Sequence, residues 1–130
     1  MTVWKMAIGS VVTALVLASC GGSSGDNSQS CTPTGGSTSG TPTQTVKLVA
    51  DPNTIGKYDP ANVSVKVGDT LAWDFQDNTV QHSVTSDDSG VFDSCLQNAG
   101  AKFMVTFSKA GDFKYHCQIH AQMLGEVKVS

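Results

Sequence analysis

Between Thr45 and Ser130 apolar side chains recur at every second position, and that period confines the chain to one class of fold. Val63, Val65 and Val67 alternate with Ser64 and Lys66; Leu71, Trp73 and Phe75 alternate with Ala72 and Asp74; Phe103, Val105 and Phe107 repeat the pattern. Successive side chains of a strand point to opposite faces, so each run lays one apolar face on a core. Gly68-Asp69, Gln76-Asp77-Asn78 and Ala110-Gly111-Asp112 separate the runs with turn residues. The expected fold is all-β, an antiparallel sandwich of about seven to eight strands. Gln81 to Ser86 is expected to be one of these strands and Gly125 to Val129 the last. No stretch carries a helical period; Leu96 to Lys102 has room for one short turn.

Upstream the texture changes. Lys5 precedes an apolar run from Met6 to Ala18, interrupted only by Gly9, Ser10 and Thr13. A bilayer takes about 20 apolar residues, so this run fits the core of a secretory signal better than a membrane span. It closes with Leu17-Ala18-Ser19-Cys20, which resembles the bacterial lipobox, where the Cys is lipidated and becomes the first mature residue. The resemblance implies a signal peptide over 1–19 and a lipid anchor on Cys20. The protein would then be exported and tethered to a membrane, facing the periplasm or cell exterior, in an oxidising compartment. Cleavage nearby with loss of Cys20, or an uncleaved anchor, competes with it. The 25 residues from Gly21 to Thr45 include six Gly, six Ser, six Thr and two Pro. So little there can be buried that 20–45 reads as a mobile leash, and 46–130 as the folded domain.

Eight Lys and no Arg stand against eleven Asp and Glu, a formal charge of −3. Without Lys5 the balance is seven against eleven, or −4. Nucleic-acid binding rests on basic contacts to phosphate, which this chain lacks. A length of 130 residues excludes a multidomain enzyme.

The chemistry concentrates near the C-terminus. Cys117, His120 and Met123 follow the expected strand Phe113–His116 at intervals of three, and His82 lies 35 residues before Cys117. One thiolate, two imidazoles and a thioether are the donors of a mononuclear blue-copper centre, a His₂Cys plane with a weak axial Met. Soft sulfur suits Cu(I) and imidazole suits Cu(II), so a site held between the two preferences passes one electron with little rearrangement. His116 is next to Cys117 on a strand and should face the other way, which sets it outside the ligand set. The structural alternatives are a strand histidine satisfied by a backbone partner for His82 and core packing for Met123. Met104, Trp73 and Phe75 read as sandwich packing.

With these residues in place the chain resembles the cupredoxins, most closely the amicyanin and plastocyanin-like members. The resemblance runs over about 46–130 and rests on Tyr58-Asp59-Pro60, Val63–Asp69, Trp73, His82-Ser83-Val84, Gly90-Val91-Phe92-Asp93-Ser94 and Tyr115-His116-Cys117-Gln118-Ile119-His120. It implies a Greek-key β-sandwich with one copper ion held by His82, Cys117, His120 and Met123. Ser83 stands where many members have an Asn that ties the two ligand loops, and Ala121 where many have Pro. The first change alters the reach of a hydrogen-bonding side chain, and the second relaxes the ligand loop.

Cys31 and Cys95 remain. In an oxidising compartment they suggest a disulfide joining the leash to the loop near Asp93-Ser94; free thiols or an intermolecular bridge are the alternatives. Asp87, Asp88 and Asp93 read either as an acidic docking patch or as solvated turns. The functional expectation is a monomeric, lipid-anchored electron carrier, not an enzyme, exchanging one electron with transient partners such as a cytochrome or membrane oxidoreductase. His120 would be the exit, framed by Ala121 and Leu124. Copper delivery or sequestration is the second reading. It is weakened by a mature chain with only Met104 and Met123 and no Met- or His-rich tract. A metal-free extracellular sandwich is the third.

Overall fold

Alternation turns into burial along each strand: in Asn62–Val65 the two valines are buried while Asn62 and Ser64 are exposed. The computed structural model describes residues 30–130, so Cys20 and the signal segment lie outside the described residues. Among the described residues eight strands form two sheets. The first holds β1 (Gln44–Asp51), β2 (Ile55–Asp59), β4 (Thr70–Phe75) and β6 (Lys102–Thr106) in the order β2-β1-β4-β6. The second holds β3 (Asn62–Val65), β5 (Thr85–Ser86), β7 (Gly111–Cys117) and β8 (His120–Val129) in the order β3-β8-β7-β5. The inner faces meet on Trp73, which is fully buried. Its ring centroid lies 5.3 Å from Tyr115, edge-on, and 5.6 Å from Phe92. The same cluster includes Cys117 and Met123, so the ligand candidates grow out of one end of the core.

Three expectations need correcting. The sandwich is mixed, not purely antiparallel: β1 runs parallel to β4 and β3 parallel to β8. A period of two determines which side chains face inward, but it carries no information on neighbour direction. Next, Gln81 to Ser86 is not a strand throughout. Only Thr85 and Ser86 pair with β7, and His82 makes an isolated bridge with Gln97. Side chains replace the ladder there, as where the Val84 amide donates to Ser94 Oγ at 2.8 Å.

Finally, the leash read from composition is not free from residue 31 onward. Cys31 and Cys95 form a disulfide with their Cα atoms 5.8 Å apart. Beyond it the Ser37 and Met104 amides each donate to the other's carbonyl at 2.8 Å, and Thr34 and Asp93 do the same at 2.8 and 3.0 Å. The segment thus straps the edge strand β6 and buries Met104, which alternation alone would turn outward. Glycine here serves contact: a Cβ on Gly35, where φ is +69°, would sit 2.0 Å from the Val91 carbonyl oxygen, and one on Gly36 would sit 2.4 Å from the Phe103 ring.

Candidate metal centre

Strand alternation and one tight turn position the C-terminal donors. Along β7 Tyr115 and Cys117 are buried and the residues between and before them are less so; along β8 Met123, Gly125, Val127 and Val129 are buried. Gln118 and Ile119 form the turn that sets Cys117 opposite His120. His82 arrives from the irregular segment before β5, its ring pressed on β2: a Cβ on Gly56 would fall 2.3 Å from His82 Cε1.

His82, Cys117 and His120 converge, and Met123 lies near them, fully buried. His82 Nδ1 and His120 Nδ1 are 3.1 Å apart; Cys117 Sγ is 3.4 Å from His120 Nδ1 and 3.9 Å from His82 Nδ1. Donors bonded to one ion at about 2.0 Å for imidazole and about 2.3 Å for thiolate, as at zinc, stand roughly 3–4 Å from each other. The trio therefore fits a single metal ion, and its S/N donor set fits copper. Cys117 is buried and forms no disulfide among the described residues. The Ser83 amide donates to its sulfur at 3.4 Å and helps fix its position.

Asp77, which in the sequence looks like a turn residue, proves to be part of the site. Its side chain is fully buried, and His82 Nε2 lies 2.8 Å from Asp77 Oδ2. A carboxylate only accepts, so Nε2 carries the ring proton and leaves the Nδ1 lone pair facing the other donors. Burial alone would raise the Asp77 carboxyl, but hydrogen bonds from the Thr79 hydroxyl, His82 and the Thr79 amide outweigh it and hold the group at about 2. Burial and the neighbouring His82 push His120 below the ordinary histidine range, with Asp77 opposing.

Ser83 does tie the ligand segments together. Its Oγ accepts from the Gln118 amide at 2.9 Å and lies 3.0 Å from Thr85 Oγ1. Thr85 Oγ1 donates to Asp93 Oδ1 at 3.2 Å, and Gln118 Nε2 donates to Asp93 Oδ2 at 3.0 Å, closing a ring of four residues through the Gln118 backbone. Asp93 is thus occupied structurally and is not part of an exposed acidic patch. His116 points away from the trio and contacts Asp87 at 2.6 Å. Tyr58 donates to the Ser83 carbonyl at 2.6 Å and pins the same segment from β2.

Residues 44–130 match the profile of the copper binding proteins of the plastocyanin/azurin family. The chain belongs to that family. It is 32% identical over 77 residues to amicyanin of Paracoccus denitrificans, covering 56% of this chain and 58% of amicyanin. With the chloroplast plastocyanin of Tetradesmus obliquus it shares 31% identity over 96 residues, 65% of each chain. The chain thus spans less than two thirds of the length of these curated relatives. Among solved structures, a purple cupredoxin from Nitrosopumilus maritimus superposes with a TM-score of 0.57 and 31% identity, over 65% of this chain and 98% of that one. An amicyanin mutant in its reduced state gives a TM-score of 0.53 and 25% identity, over 66% of this chain and 82% of that one.

Proposed function

We propose that the protein is a one-electron carrier, not an enzyme, and that His120 is its electron exit. When bound, copper supplies the one-electron couple. One observation carries the reading: His82, Cys117 and Met123 are at most 2% exposed, whereas His120 is half-buried and lines a shallow surface depression with Ile55, Ile119 and Ala121. Ile55 and Ile119 are 59% and 52% exposed, so two apolar side chains flank the exit beside the polar Asn53, Thr54 and Gln122, a mixed rim suited to a brief, small-area encounter. Leu124 is also exposed but lies on the outer face of β8, opposite His116. Ile55, the first residue of β2, takes the place expected of Leu124. Burial of three donors favours a carrier over a delivery protein, which has to release its ion readily.

The partner proposed is a cytochrome or membrane oxidoreductase meeting a monomer. The site of action is an outward-facing membrane surface, with Cys20 as the lipid anchor. Eleven Cα–Cα steps lead from Cys20 to the disulfide at Cys31, so the anchor can stand at most about 40 Å from that point. Three experiments test these readings. Purified protein with one equivalent of Cu(II) should be coloured and should accept an electron from a reduced c-type cytochrome, and Cys117→Ala should lose both properties. Ile55→Glu should keep the colour and slow the exchange roughly tenfold or more, since desolvating a charge costs about 1–3 kcal/mol. Colour in Cys117→Ala, or an unchanged rate in Ile55→Glu, contradicts the respective assignment. The wild-type protein should take up a fatty-acyl label that Cys20→Ala loses; a wild-type protein that takes up no acyl label rules out the lipid anchor.

A further inference from the structure

Asp77 is a fully buried carboxylate whose contacts are the Thr79 amide, the Thr79 hydroxyl and His82 Nε2. No lysine forms an ion pair with it among the described residues. The charge is carried by those three hydrogen bonds with no ion-pair partner, and one of the three is to a ligand ring. We propose that Asp77 is a positioning residue that holds His82 in its Nε2–H tautomer and biases the copper couple toward the oxidised form.

A Cu(II) ion with one thiolate carries +1 and a Cu(I) ion with one thiolate carries zero. Adding the Asp77 carboxylate gives zero for the oxidised site and −1 for the reduced site. In a low-dielectric interior the neutral assembly is favoured, so Asp77 stabilises Cu(II) relative to Cu(I) and lowers the midpoint potential. The hydrogen bond works in the same direction, since a carboxylate on the far nitrogen raises the basicity of the ligating one. This inference rests on the copper-carrier reading and names the residue that poises it.

The decisive variant is Asp77→Asn, which keeps an acceptor oxygen for Nε2–H and removes the charge. Loss of such a partner typically costs 10–100-fold in metal affinity. Expressed as the Cu(II)-to-Cu(I) affinity ratio, that loss raises the one-electron midpoint by about 60–120 mV. The visible band should survive, because the four donors are unchanged. If the variant binds copper and its affinity ratio moves less than twofold, about 18 mV, the inference is overturned. A second measurement needs no variant: long-range proton–nitrogen NMR on the wild-type apo-protein should find the His82 proton on Nε2. A proton on Nδ1 with Nε2 bare overturns the inference even if Asp77→Asn fails to fold. Wild-type protein that takes up no Cu(II) defeats the carrier reading and, with it, this inference. A coloured, electron-accepting wild type with an unmoved Asp77→Asn midpoint defeats this inference alone.

Discussion

Gly56 shows how closely the protein controls a single ring. Its Cα approaches the His82 imidazole so nearly that a methyl group would lie 2.3 Å from Cε1 and 2.9 Å from Nε2. Gly56→Ala therefore has to displace either β2 or the ring. Overpacking of this kind costs about 1–3 kcal/mol, and a displaced ring should also disturb the ligand field. The expected outcome is a lower melting temperature together with a weakened or shifted visible band in the Cu(II) protein. A variant with wild-type spectrum and stability would mean that the ring has room it does not show. The four donor candidates could be read from the sequence because thiolate, imidazole and thioether at those spacings have few other joint uses. Asp77 and Gly56 could not. An Asp between Gln76 and Asn78 looks like any turn residue, and a Gly in a strand gives no hint of which side chain it makes room for. Ser83 was legible as a departure from the family pattern. That Thr85, Asp93 and Gln118 complete its role depends on four segments meeting in space.

At the scale of elements, the strands with strict alternation were legible and the side-chain-held segments were not. β5 shrinks to two residues because Ser94 and Gln97 take over hydrogen bonds that a partner strand would otherwise supply. Composition hides the strap for a related reason. Low apolar content signals that a segment cannot fold alone, but it does not exclude a segment held by backbone pairing and one covalent bond. The disulfide spans a sequence separation of 64 residues, for which the chain-entropy estimate is about 4 kcal/mol. Changing both Cys31 and Cys95 to Ser should lower the unfolding free energy by about 2–4 kcal/mol in urea titration. It should also expose the Ser37 and Thr34 amides to fast hydrogen exchange. Unchanged protection at those two amides would show that pairing alone holds the strap.

Across the whole molecule, Trp73 links the metal end to the rest of the core through aromatic contacts, and the chain's two tyrosines lie within that connection. Tyr58 and Tyr115 pack edge-on with centroids 4.7 Å apart, and both are buried. Desolvation raises both phenols: Tyr115 to about 12, and Tyr58 further, with Cys117 adding to the effect. In the unfolded chain both return to about 10. The folded state therefore binds more protons than the unfolded state above pH 10, and stability has to fall as pH rises through that range. The contribution is fully present below about pH 10, and for Tyr115 it is lost by about pH 12. At about 1.4 kcal/mol per pH unit, the Tyr115 part alone amounts to roughly 2–3 kcal/mol. Ultraviolet phenolate absorbance should be nearly absent at about pH 11 in the folded protein and close to complete for both residues in urea at the same pH. Urea midpoints should decline between pH 10 and 12 even in apo-protein, because the cause is burial of the ring hydroxyls and not the metal. Normal titration of either tyrosine in the folded state would place it at the surface. It would also break the aromatic path by which the sandwich supports its metal end.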